Sequence, residues 1–368
     1  MIRKLYVFAN CGYYNIPPKS GGQSSARRVI KGLEQMGFEV RTIRRHRGEW
    51  EGKLAHRIET DFYSIVDTIK IFFTMLLGKR SYAAFLNLTY SGPLIPYELW
   101  LTFMVRLLGY KSLKYIKGGK IVDRFPKKSS LMYKLFKKDL DWQSIVFFEG
   151  NMSLEMAGAL SETPMRVFPN FIFDNQIPDT LIDKPTNVIN ICYFGKIAKD
   201  KNIHVILDTF EILAHNHDNL YLTIVGGAGN DASYVKDVDE RIKNSHFSER
   251  INRKGLSSYE YLMDMMKSQH FFLFPSEGKC EGHSNSLNEA MSQGLVPIVS
   301  DYHFNKYIVG DDRLVVNGFN PQDYANTIEA IIQNNEMTSL SNKMWERVKK
   351  NYCFGALKNR IENEIKFI

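Results

Sequence analysis

The segment Phe274-Pro-Ser-Glu-Gly-Lys-Cys-Glu-Gly-His-Ser-Asn-Ser-Leu-Asn-Glu-Ala-Met-Ser-Gln-Gly294 carries more of the fold than any other part of the chain. The apolar run before it, residues 271–274, reads as a buried strand ended by Pro275. Ser284 or Asn285 supplies a helix N-cap, and Leu287, Ala290 and Met291 recur at helical spacing. Gly294 stands where the end of a helix takes glycine. A strand, loop and helix in this order aim backbone N–H groups and the positive end of the helix dipole at the crevice above the sheet. A phosphate fits that place.

Two carboxylates, Glu281 and Glu289, bracket the helix start. At a rise of about 1.5 Å per residue, Asn285 to Glu289 spans roughly 6 Å of helix axis. A nucleotide-sugar is long enough to straddle this site. Its diphosphate would rest on the amides near Ser286 and Leu287, with Glu281 accepting from sugar hydroxyls and Glu289 from a ribose diol. Taken as isolated acids, the same residues are an exposed helix position and a solvated loop carboxylate.

Outward from this segment, the chain reads as two βα series. In the first, residues 4–9 form a strand, Gly21-Gly22 marks a loop, residues 24–36 form an amphipathic helix closed by Gly37, and residues 38–43 form the next strand. Strands follow at 83–88, 112–116 and 144–148, with helices near 65–77 and 97–108. The Pro-, Asp- and Asn-bearing stretch 168–185 reads as a linker. The second series places strands at 188–194, 221–225, 271–274 and 296–299. Its helices fall near 203–215, 233–243, 258–267 and 286–293, and residues 344–366 read as one or two amphipathic helices. Alternation of this kind predicts parallel sheets covered on both faces, with ligands at the carboxyl ends of the strands. The expected domains are 1–180, 181–350 and a C-terminal helix, 351–368, packing back on the first.

With 44% hydrophobic and 24% charged residues, the 368-residue chain is globular, and disorder is excluded as its main state. The dispersed Cys11, Cys192, Cys280 and Cys353 offer neither a zinc spacing nor a disulfide framework. The start Met1-Ile-Arg-Lys leads directly into a strand, and the apolar run 71–77 is too short to span a bilayer, so a soluble cytoplasmic protein is expected. Charge is uneven. Residues 1–180 hold 27 Lys and Arg against 16 Asp and Glu, whereas the chain as a whole carries +8. Between Leu101 and Lys138 eleven cations interleave with aromatics and only Asp123 opposes them. Such a region suits an anionic membrane surface, a nucleic acid, or a solvated face of amphipathic helices.

The loop Gly195-Lys-Ile-Ala-Lys-Asp-Lys-Asn202 places Lys196 and Lys201 where they would neutralise a departing nucleoside diphosphate; the plain alternative is two solvated lysines. Val225-Gly-Gly-Ala-Gly229 is a glycine turn after a strand. Lys117-Gly118-Gly119 follows another strand, and Lys117 either binds phosphate or sugar or caps the strand. The strings Asp139-Leu-Asp141 and Asp237-Val-Asp239 do not sit at strand ends and make poor metal clamps, so neither metal nor other cofactor is expected.

The opening segment resembles the E-x7-E signature of glycosyltransferase family 4, E-G-x-x-N-x-x-x-E-A-M-x-x-G. The match falls at Glu281, Gly282, Asn285, Glu289, Ala290, Met291 and Gly294. The resemblance continues at Gly195 and Lys201 of a G-R-L-x-x-x-K-G pattern, which this chain leaves at Lys196 and Asn202. Lysine at 196 keeps the charge and loses the bidentate fork of arginine. Gly21-Gly22 corresponds to the family's N-terminal glycine loop, Gly255 and Leu256 to its base-holding segment, and Lys117-Gly118 to its His-Gly pair. The resemblance implies a GT-B fold, two Rossmann-like domains facing each other across a cleft, and metal-independent retaining transfer from a nucleotide-sugar. UDP-sugar is favoured and GDP-sugar is the alternative. His283 and Ser284 would join the donor pocket, His283 being otherwise a surface histidine. The acceptor would be a glycan or lipid-diphosphate-sugar in cell-envelope or exopolysaccharide synthesis, handled at the inner face of the cell membrane. A nucleotide-sugar epimerase is the nearest rival. A nucleic-acid-binding protein is the rival of another class, and it leaves Glu281 and Glu289 without a role.

Overall fold

Lys4–Ala9 (β1) buries every residue after its first, as a strand covered on both faces does. It pairs in parallel with Glu39–Arg44 (β2) and with Ala83–Tyr90 (β3). Lys111–Lys117 (β4), Ile145–Phe148 (β5) and Met165–Val167 (β6) extend the sheet in the order β2-β1-β3-β4-β5-β6. Among the described residues, the helices between these strands are Gly21–Gln35 (α1), Lys53–Leu76 (α2), Ile95–Leu107 (α3), Leu131–Asp141 (α4) and Asn151–Gly158 (α5).

The second sheet is again parallel and six-stranded. Ile189–Phe194 (β7), Leu220–Val225 (β8), Ile251–Lys254 (β9), Phe271–Phe274 (β10), Val296–Ser300 (β11) and Val315–Val316 (β12) lie in the order β12-β11-β10-β7-β8-β9. Its helices are Ile203–Ala214 (α6), Ala232–Asn244 (α7), Tyr259–Met266 (α8), Asn285–Ser292 (α9), Asn305–Val309 (α10), Pro321–Gln333 (α11) and Met337–Asn351 (α12), followed by Phe354–Lys366 (α13). This is a computed structural model, which describes residues 1–16, 18, 20–46, 53–90, 94–119, 130–229, 231–278, 282–302 and 304–368. It divides into two units, Met1–Asn170 with Leu357–Ile368, and Phe171–Ala356. The expectation of two parallel α/β domains holds.

Several local expectations give way. Gly21 and Gly22 are not a loop but the first turn of α1, which Ser20 caps by accepting from the Gln23 amide. The expected helix at 65–77 begins as early as Lys53. Strands β6, β9 and β12 have no counterpart in the sequence reading; each is short and lies at a sheet edge. The stretch read as a linker is packed: Phe171, Ile172 and Phe173 are buried, and Phe171 and Phe173 stack near Phe354 at 5.5 and 5.3 Å. Burial of those rings outweighs the local Pro and Asp content. Cys11, Cys192 and Cys353 are buried free thiols, and Cys280 lies outside the described residues. Among the described residues no helix is long and apolar enough to cross a membrane.

Candidate functional site

All six strands of the second sheet run parallel, so the loops after β7, β8, β9 and β10 emerge at one edge. Two of them are joined beyond the strands. Ile197 donates to Gly227 O at 3.0 Å, and Gly229 donates back to Ile197 O at 2.9 Å. The glycines permit the approach. Gly226 has φ +154°, and a Cβ placed on it would stand 1.7 Å from the Gly195 carbonyl oxygen. Tyr193 fixes the same loop by donating its hydroxyl to Lys196 O at 2.8 Å.

The lysine loop closes in a 3-10 turn, Lys199–Lys201, and ends at Asn202 with φ +50°. Left-handed backbone admits glycine and, next best, asparagine, whose side chain finds local partners. The Asn202 amide is held from further off, donating to Pro275 O on the loop after β10 at 2.9 Å. The departure from glycine at 202 therefore meets the same backbone requirement with another residue. The two lysines part company. Lys196 is exposed, whereas Lys201 is buried, with its ammonium 3.2 Å from Ser276 Oγ and 5.7 Å from the Phe274 ring centroid. The reading of Lys201 as a solvated loop cation is thus corrected: the loop after β10 folds over it, bonded through Glu277 N to Asp200 O at 2.9 Å.

That loop leads into α9. Ser284 is the N-cap, its hydroxyl accepting from the Leu287 amide at 3.4 Å and lying 3.0 Å from Ser286 Oγ. The Leu287 amide, counted in the sequence among the phosphate donors, is therefore engaged by the cap; the earlier first-turn amides, of Asn285 and Ser286, face the helix start. Gly294 ends the helix at φ +70°. Ser284→Ala should cost about 1 kcal/mol and lower the unfolding midpoint by about 2–4 °C. A midpoint unmoved in differential scanning calorimetry removes the cap from the argument.

Gly282 is buried, and Glu289 is partly exposed one turn into α9. Glu281 lies outside the described residues. His283 is not a surface residue: it is buried, its Nε2 is 2.9 Å from Asn288 Oδ1, and its ring meets Tyr352 edge-on at 4.6 Å. Gly255 and Leu256 follow the edge strand β9, and Leu256 stands 90% exposed beside the Gly227 turn, a bare apolar platform at the sheet edge. The sequence reading missed Tyr193, Ser276, Asn288 and Tyr352. A serine after the strand-ending Pro275 is a detectable sign for Ser276, whereas Tyr352 comes from a distant helix end with no local sign.

The first unit holds the remaining candidates. Lys117 ends β4 with 2% of its surface exposed, facing Glu149 Oε1 at 3.2 Å, Asn170 Oδ1 at 3.0 Å and the Ser25 hydroxyl of α1. Burial pushes its pKa below the ordinary lysine value, against the pull of Glu149. Glu149 also accepts from the Gly118 amide at 2.8 Å. Ser25 lies about one turn into α1 from the capped Gly21-Gly22 end, so its bond sets Lys117 one turn from the glycine pair. Of the two D-x-D strings, Asp139 is buried against Lys114 within α4, and Asp239 within α7 pairs with Arg253 at 3.0 Å. Among the described residues no three metal-ligating side chains gather.

Residues 174–351 match the family model of glycosyl transferases group 1. Over 259 residues the chain is 22% identical to an uncharacterized glycosyltransferase of Methanocaldococcus jannaschii, covering 62% of this chain and 61% of that protein. The match thus spans about three fifths of the relative's length. Among solved structures, sucrose-phosphate synthase from Thermosynechococcus elongatus superposes with TM-score 0.74 at 15% identity over 98% of each chain. HepE of Anabaena in complex with UDP gives 0.72 at 12% identity over the full length of both. The E. coli trehalose-6-phosphate structure bound with UDP-2-fluoro glucose gives 0.69 at 12% over 99% of each. These likenesses are of fold: two parallel α/β units, the GT-B architecture.

Proposed function

We propose that the chain is a metal-independent, retaining glycosyltransferase that takes its sugar from a nucleotide diphosphate donor, UDP-sugar by preference. One observation carries this reading: buried Lys201 and the capped start of α9 meet through one loop at the carboxyl edge of the second sheet. A cation held by packing under the loop that leads to a helix N-terminus offers a diphosphate fixed charge at that sheet edge, with little reorganisation when charge develops there. Lys196, exposed on the same loop, adds a second charge. In this reading Glu289 accepts from the ribose diol, Glu281 from sugar hydroxyls, and Leu256 carries the base face. Structural neighbours that hold UDP and UDP-2-fluoro glucose favour the same donor class.

In transfer, the acceptor oxygen bonds to the anomeric carbon as the bond from that carbon to the phosphate oxygen breaks on the same face. The acceptor proton passes to the departing phosphate, so no side-chain nucleophile is required, and the protein contributes positioning and charge stabilisation. The acceptor class is a lipid-linked or polysaccharide hydroxyl in cell-envelope synthesis, handled by the first unit. A nucleic-acid role is disfavoured because Lys114 and Lys117, two of the eleven cations between 101 and 138, are buried against carboxylates.

Titration calorimetry with UDP, GDP and their glucose derivatives tests the donor site. Glu289→Ala is expected to weaken UDP-sugar binding about ten- to hundredfold, the range of a hydrogen bond to a charged group. Equal affinity in wild type and variant, or no nucleotide binding by folded wild type, removes the reading. Rapid donor turnover without acceptor would replace it with an epimerase.

A further inference from the structure

We propose that the outer face of the first unit's helical layer, formed by α2, α3 and α4, docks on an anionic lipid bilayer. The connections β2 to β3, β3 to β4 and β4 to β5 all step the same way across the sheet, so right-handed crossovers set these helices on one face. Along α2 the buried side chains are Glu59, Asp67, Ile71 and Met75. At 100° per residue the opposite side carries Ile58, Phe62, Ile65, Ile69, Phe73 and Leu76, all exposed, with Ile65 at 63%. The stripe runs roughly 27 Å at helical rise. Soluble monomers rarely leave a contiguous apolar surface of that extent bare. On α3, Trp100, Phe103 and Leu107 extend it, with Trp100 and Trp142 each within 6 Å of the Phe103 ring, at 5.8 and 5.9 Å. Indole rings at such a rim suit the headgroup level of a membrane.

Charge selects the occupant. Lys70, Lys79, Arg80, Arg106, Lys134 and Lys138 are exposed around the apolar area. The exposed acids on these three helices, among the described residues, are Asp61 and Asp141. Each is already beside a cation, Arg57 at 4.0 Å and Lys137 at 2.9 Å. A second copy would set like charge against like charge, whereas anionic headgroups match it. With no membrane-crossing helix among the described residues, such a face lies on the bilayer surface with its apolar stripe in the acyl boundary. Nothing in this inference depends on the donor reading, since every residue belongs to the first unit.

Sedimentation of the full chain with vesicles tests it. The protein is expected to pellet with an equal mixture of phosphatidylglycerol and phosphatidylcholine, to stay in solution with phosphatidylcholine alone, and to dissociate as salt rises. The double variant Ile65→Glu/Ile69→Glu should lose at least about tenfold in partitioning. Lys134→Ala/Lys138→Ala should lose about fivefold for each lysine. Thermal midpoint and UDP affinity are expected to stay unchanged in both. Indifference of the wild type to phosphatidylglycerol overturns the proposal, as does full binding by the double glutamate variant. A wild type of double mass in sedimentation velocity, made monomeric by those glutamates, also overturns it and assigns the stripe to a second copy.

Discussion

Gly226→Ala is expected to destabilise the second unit by about 4 kcal/mol or more, a size reached only when backbone cannot yield. The methyl group would overlap the Gly195 carbonyl oxygen at 1.7 Å, and that atom belongs to a chain already hydrogen-bonded on both sides of the contact. Gly195 N donates to Val225 O and Gly226 N to Lys254 O, each at 3.0 Å. Relief therefore needs the ends of β7, β8 and β9 to separate. The φ of +154° adds about 1–3 kcal/mol of its own for any residue with a Cβ. The adjacent position is the control. At Gly227 a Cβ would meet only the Leu256 Cβ at 3.6 Å, an ordinary contact, so Gly227→Ala should be nearly neutral. Urea unfolding followed by circular dichroism reads the difference. Equal midpoints for the two variants would show that the loops part easily.

Glu98→Gln is expected to cost about 3 kcal/mol at neutral pH, because it leaves the half-buried Arg45 without its carboxylate and the buried Lys114 with Asp139 alone. Glu98 is buried in α3 and faces Arg45 at 2.7 Å and Lys114 at 3.6 Å, while Thr89 donates to it at 2.9 Å. Burial alone would raise its pKa, but Arg45 and Lys114 overcome that and hold it at about 2, below the usual 4.5. A carboxylate depressed on folding stabilises above its unfolded pKa. That contribution declines as pH falls from about 4.5 and is gone below about 2. Wild-type thermal midpoints should fall across this window, and the variant's curve should be flatter there. Parallel acid limbs in the two proteins would mean that Glu98 is not the group responsible.

What the sequence made legible was local. Ser284 and Gly294 carry their own backbone requirements, so α9 emerges within a residue of its expected bounds. Strand β10, four aromatic and aliphatic residues ended by proline, is equally self-contained. Strand β9 was invisible because Ile251-Asn-Arg-Lys254 has one apolar residue and an exposed edge, so its hydrogen bonds to β8 define it. The Gly21-Gly22 pair misled because glycine disfavours helix interiors, while Ser20 and the packing of Val29, Ile30 and Leu33 outweigh that preference. The basic stretch misled in another way. Lys114 reads as a surface cation until tertiary structure brings Glu98 and Asp139 to it. The burial of Lys201 was illegible for the same reason, since Ser276 reaches it from the loop after β10.

The rungs between Ile197, Gly227 and Gly229 have a consequence for affinity. Two loops that continue a ladder past the last residues of their strands are ordered before anything binds. A ligand at that edge meets amides and a lysine whose backbone freedom was surrendered on folding, at about 1–2 kcal/mol per residue. Little further ordering entropy is lost on association, so each contact there is expressed more fully as residence time than it would be on a mobile loop.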